Sequence, residues 1–93
     1  EIDWIEAADY YAAVHGGGRR WLVRESVDAL EARLPGGLFA RVHRSALVNL
    51  ARVEGWGRDG GGGVLRLRGG AEVRVSRRRW AEVAGRLGER GPG

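Results

Sequence analysis

The sequence contains no cysteine, which removes disulfides, thiolate zinc sites and cysteine nucleophiles from consideration. Two histidines alone make a poor metal site. Lysine, threonine, glutamine and methionine are also missing, so all sixteen basic residues are arginine. A GC-rich genome produces the same bias, and arginine content by itself says little about partners. No apolar run approaches the roughly 20 residues of a membrane span, and no segment has the order of a signal peptide. The expectation is a cytoplasmic protein with no membrane contact in this chain. With 93 residues there is room for one domain with a modest core.

The charge that is present is unevenly placed. Residues 1–31 hold three arginines against seven acids (net −4), whereas residues 32–93 hold thirteen against five (net +8). Such asymmetry is the electrostatic footprint of a polyanion binder, either nucleic acid or an acidic surface.

Hydrophobic periodicity predicts mostly strands. Ile2, Trp4 and the stretch 10–14 have extended character, and glycines 16–18 turn the chain before Trp21 and Val23 resume it, which reads as two strands. Val27, Leu30 and Leu34 fall at i, i+3 and i+7 behind Ser26 as N-cap, and Pro35-Gly36-Gly37 ends that short helix. The stretches 39–43, 47–50 and 53–56 are further short strands. Glycines 60–63 read as a flexible turn, because the run lacks the Lys-Ser/Thr pair of a phosphate loop and leads into a strand. Residues 64–68 and 72–75 form a hairpin around Gly69-Gly70. Trp80, Val83, Ala84 and Leu87 then give one face of a second helix, capped by Ser76. The sum is a mainly β domain of about seven short antiparallel strands in small stacked sheets with two short helices, covering residues 1–88, and a frayed tail at 89–93.

No set of acid, base and nucleophile can be assembled from these residues, so no catalytic residue, metal or cofactor is expected. His15 reads as a solvated turn residue, and Trp21, Trp56 and Trp80 as core. Arg77, Arg78 and Arg79 stand at the start of the last helix, where cations oppose the helix dipole. A bound phosphate would compensate, since free backbone N–H groups and guanidinium forks converge there.

The run Phe39-Ala40-Arg41-Val42-His43-Arg44-Ser45-Ala46-Leu47-Val48-Asn49-Leu50 resembles the F-x-R-I/V-H-R-S-x-x-V-N-L stretch of the LytTR family of DNA-binding domains. Trp4-Ile5-Glu6-Ala7 with Tyr10-Tyr11, and Val75-Ser76-Arg77-Arg78, are similar to its entry and V-S-R-R/K segments, so the likeness spans essentially residues 1–88. Ala46 stands where the family usually has an aromatic residue, and the loop at 60–63 is longer than usual.

The resemblance implies a β fold whose edge loops enter successive major grooves of double-stranded DNA. Base contacts carried over from the family fall on Tyr11 or its neighbours Asp9 and Tyr10, on Arg44 and on Arg77. Phosphate contacts fall on Ser76, Arg78 and Arg79, while His43 and Asn49 support the reading loop. The family further implies an output domain of a two-component response regulator, paired direct repeats in promoters, a second copy on the adjacent half-site, and an upstream receiver or sensor domain outside this chain. Two other readings remain open on the residues alone: an RNA-binding β module, and a basic module that meets proteins or membrane surfaces.

Overall fold

The computed structural model describes residues 1–89. The tail expected at 89–93 lies, from residue 90 on, outside the described residues.

Eight strands and two α-helices follow one another in the order β1 (Trp4–Ala8), β2 (Tyr11–Gly16), β3 (Arg19–Val23), α1 (Val27–Arg33), β4 (Phe39–His43), β5 (Ala46–Asn49), a 3-10 turn (Leu50–Arg52), β6 (Val53–Asp59), β7 (Gly62–Leu67), β8 (Glu72–Val75) and α2 (Arg77–Glu89). All strand pairs are antiparallel, in a five-stranded sheet β3-β2-β1-β5-β4 and a three-stranded sheet β6-β7-β8. The mainly β architecture expected from the sequence is the one observed. The additional strand arises because residues 2–14 do not run straight: Asp9 adopts the left-handed conformation (φ 57°) and turns the chain back on itself between β1 and β2. Aspartate tolerates that region better than most side chains.

Side-chain alternation along the strands splits the first sheet into two apolar faces. One face, with Ile5, Ala12, Val14 and Leu47, packs against Val27 and Leu30 of α1. That helix forms where expected: the Ser26 side chain accepts from the Ala29 N–H at 3.0 Å, Asp28 sits in the first turn and Arg33 in the last, which suits the helix dipole. The other face, with Ala40, Val42, Ala46 and Val48, joins Leu65, Leu67, Val73 and Val75 of the second sheet and Trp80, Val83 and Leu87 of α2 in the main core.

The glycine run at 60–63 is not a flexible loop throughout. Gly60 and Gly61 make the β6–β7 turn at positive φ, but Gly62 and Gly63 are buried residues of β7. A Cβ on Gly63 would lie 2.2 Å from the Trp80 ring, so glycine there is what lets the indole of α2 settle on the sheet. His15 and Trp21 also differ from expectation. His15 is a half-buried residue of β2, stacked on Trp4 at 4.3 Å between ring centres and bonded to the Glu6 carboxylate at 2.7 Å. Trp21 lies on the edge strand β3 and is 43% exposed, whereas Trp80 is in the core and Trp56 packs against it.

Candidate nucleic-acid interface

Four connections meet at one end of the molecule. The Ala7 N–H donates to the Ser45 carbonyl at 2.8 Å, which sets the β1–β2 turn beside the β4–β5 turn. The Ser76 N–H donates to the Val42 carbonyl at 2.9 Å, which brings the β8–α2 junction to the same place. His43, Gly60, Ser76 and Arg77 line a single depression of about 450 Å³, so the β6–β7 turn belongs to this end as well. On the other side of the β4–β5 turn, Asp9, Tyr10, Tyr11, Arg24 and Arg44 line a second depression of about 390 Å³.

Arg44 and Arg77 are both exposed and have no carboxylate partner among the described residues. Arg77 opens α2 and its side chain runs across Gly61, where a Cβ would come within 3.2 Å of Arg77 Cδ. Tyr10 is 87% exposed at the tip of its turn, and the Arg24 guanidinium sits 5.8 Å from the centre of the Tyr11 ring. Arg58, Arg78 and Arg79, which have no carboxylate partner among the described residues, add further guanidiniums to the same end. The result is an open, positively charged edge built from both sheets.

The Arg44 turn is held from below. Arg41 is 9% exposed, lies under α1, and donates from Nε to the His43 carbonyl at 2.9 Å and from Nη2 to the Arg44 carbonyl. Its Nη1 donates to Asp28 at 2.7 Å and Glu31 at 2.6 Å. Burial works against its charge, but the bonds to the two carboxylates outweigh that effect and hold the Arg41 pKa above the ordinary arginine value. One guanidinium therefore ties α1 to the carbonyls on either side of the turn.

His43 contributes from the other face. Its Nδ1 accepts from the Ser45 N–H at 3.1 Å. Burial, with the Arg41 and Arg44 charges adding and Glu6 partly opposing, holds the His43 pKa below the ordinary value. The neutral ring that results near pH 7 is the form that can accept this bond.

The remaining residues singled out in the sequence are placed as follows. Ser76 donates its N–H to Val42, and its carbonyl accepts from the Arg79 N–H at 3.1 Å. Its hydroxyl makes no hydrogen bond among the described residues, so the side-chain cap expected there is not formed, and the Arg77 and Arg78 N–H groups at the start of α2 have no partner among the described residues. Asn49 ends β5 away from the turn: it donates to the Ile2 carbonyl at 2.9 Å and accepts from the Ala51 N–H at 2.9 Å, fastening the N-terminal segment and the 3-10 turn. Sequence reasoning missed Arg41, Arg24 and Arg58. For Arg41 the only signal was its position between Phe39 and His43 on an inward-facing alternation, which is rare for an arginine.

A small β scaffold that offers one basic edge made of turns has the electrostatic character of a polyanion-binding surface. The sequence profile of the LytTr DNA-binding domain family matches residues 1–88. The chain therefore belongs to the LytTR family of DNA-binding domains, which act in transcription regulation. Among solved structures it is similar to the LytTr DNA-binding domain of a Bacillus cereus protein described as a methyl-accepting/DNA response regulator, with TM-score 0.82, 25% identity, and coverage of 92% of this chain and 79% of that one. No curated protein matches the chain. No helix among the described residues is long and apolar enough to cross a membrane.

Proposed function

We propose that this chain is the sequence-specific output domain of a response regulator of a two-component system, and that it reads major-groove bases of double-stranded DNA through Arg44 and Arg77. The observation that carries this reading is the convergence on one edge of the β4–β5 turn and the β8–α2 junction, one from each sheet, each with an exposed arginine that has no carboxylate partner among the described residues. A planar guanidinium can donate two hydrogen bonds to O6 and N7 of guanine, worth about 1–3 kcal/mol of discrimination. Tyr11, with Asp9 and Tyr10 beside it, is the third base-reading group. Arg78, Arg79 and Ser76 take phosphates at the free N-terminus of α2, where backbone donors, helix dipole and side-chain cations act together. His43 and Arg41 hold the Arg44 turn in place, and Asn49 supports it at a distance by fixing the opposite end of β5. The protein works in the cytoplasm, with a second copy on an adjacent half-site of a direct repeat and a receiver or sensor domain upstream.

The test is selection of bound sequences from a random duplex pool, followed by substitution. Arg44→Ala and Arg77→Ala should each flatten preference at one base position. Arg78→Ala should weaken all duplexes alike and lower the salt slope by about one unit. Equal losses on selected and random DNA for all three variants would refute the division of labour. Enriched repeats about one helical turn apart would mark two copies on one face of the duplex.

A further inference from the structure

The outer edge of the five-stranded sheet carries a second feature, which meets the candidate DNA edge only at Arg24. Among the described residues, β3 is an outer strand paired only with β2, and no backbone hydrogen bond outside the strand ladders involves residues 17–24. Its pairing with β2 is regular, without a bulge. Trp21 and Leu22, adjacent in sequence and so directed to opposite faces, are 43% and 50% exposed. Arg19, Arg20 and Arg24 flank them, and none has a hydrogen-bond or carboxylate partner among the described residues. Arg68, from the β7–β8 turn of the other sheet, lines the same depression as Arg19 and Arg20 and extends the positive surface past the start of the strand.

We infer that the outer edge of β3 is a docking site for an acidic, extended protein segment that adds to the sheet as a further strand. Unused backbone donors and acceptors supply a hydrogen-bond ladder, Trp21 and Leu22 supply an apolar contact on each face, and the arginines select for carboxylates. Each observation has a simpler reading alone. Charged residues protect sheet edges from aggregation, but a protected edge is usually bulged or lacks exposed large apolar groups, and this one has both regular geometry and a tryptophan. A second copy is a poor occupant, because β3 against β3 crowds two sets of three guanidiniums into one ladder. Nucleic acid is also a poor fit, since phosphates do not form a strand ladder and side chains on opposite faces make no stacking platform.

The experiment titrates the ¹⁵N-labelled chain with a short synthetic peptide of alternating glutamate and valine. A proline-interrupted version and a lysine-valine version serve as controls. Amide shifts confined to residues 19–24, with slowed hydrogen exchange there, are expected for the first peptide only. Arg19→Glu combined with Arg20→Glu, at exposed positions outside the reading edge, should weaken that peptide at least about tenfold and leave duplex affinity within about twofold. Trp21→Ser should weaken it as well, and the charge-reversed variant carries the test if Trp21→Ser fails to fold. Shifts centred on the Arg44 and Arg77 turns, equal binding of the proline-interrupted peptide, or unchanged affinity after charge reversal would overturn the proposal. So would a peptide-free dimer in sedimentation that the same substitutions abolish, which would give the edge to a second copy.

Discussion

Replacing Arg41 with lysine separates the charge of this residue from its geometry. Lysine keeps the positive charge, but one ammonium on a flexible stem cannot serve two carbonyls and two carboxylates at once. Asp28 and Glu31 are 84% and 45% exposed, so both carboxylates rehydrate when the guanidinium leaves, and each ion pair contributes at most about 1 kcal/mol. The carbonyls of His43 and Arg44 lose charged donors, normally worth about 1.5–3 kcal/mol each, reduced here because the turn reaches water. We expect Arg41→Lys to destabilise the fold by about 2 kcal/mol, which for a chain of this size lowers the Tm by about 10 °C. Urea unfolding followed by tryptophan fluorescence measures the first quantity. In duplex binding, the selected sequence should lose about tenfold while random DNA changes little, because residues 43–45 must now be ordered on binding. An Arg41→Lys protein that unfolds at the same urea concentration and keeps its sequence preference would refute the clamp.

Gly63→Ala should cost at least about 1–3 kcal/mol, because the new methyl group meets the Trp80 ring inside a closed core. Gly57→Ala, where a Cβ meets nothing within 4 Å, is the matched control and should be close to neutral in the same urea titration. Stability should also fall with acid in a way that depends on His43. Its folded pKa lies below the ordinary 6.5, so the unfolded chain binds the proton more readily, and the contribution of the neutral ring is complete above 6.5 and lost as pH falls below it. Thermal unfolding by circular dichroism between pH 8 and pH 5 should show a decline that His43→Gln reduces; an identical decline in the variant would assign the effect to other groups.

The sequence shows the strands and helices clearly where periodicity and punctuation agree. Ser26, Pro35 and the Gly69-Gly70 turn mark boundaries that recur in the fold, because caps and glycine turns act locally. The β1–β2 turn is hard to see because Asp9-Tyr10 contains no glycine or proline, and aspartate alone is a weak mark of the left-handed backbone it adopts there. Glycines 62 and 63 read as loop for the opposite reason: Gly63 makes room for the Trp80 ring and Gly62 for the backbone at Val75–Arg77, partners more than ten positions away that local reading cannot see. The same limit applies to Arg41. Its alternation with Phe39 and His43 sets it apart from the exposed Arg44 three residues on, but its partners Asp28 and Glu31 come from α1, and no local spacing reveals them. Trp21 was misplaced because alternation gives the face of a strand but not whether that strand lies at an edge.

Arg44 lies in the β4–β5 turn of the first sheet and Arg77 opens α2 just after β8 of the second, and the two sheets are joined at this end by the Ser76–Val42 backbone bond and underneath by the packing of Val83, Leu87 and Trp80. The separation between the two guanidiniums is thus a dimension of the interior, like the gap of a caliper set by its hinge. Substitutions at Val83 or Leu87 that touch no nucleotide would widen or narrow that gap. On the proposed reading, relatives with the same arginines at these two positions would diverge in the base spacing they prefer, through interior changes that an alignment of contact positions would overlook.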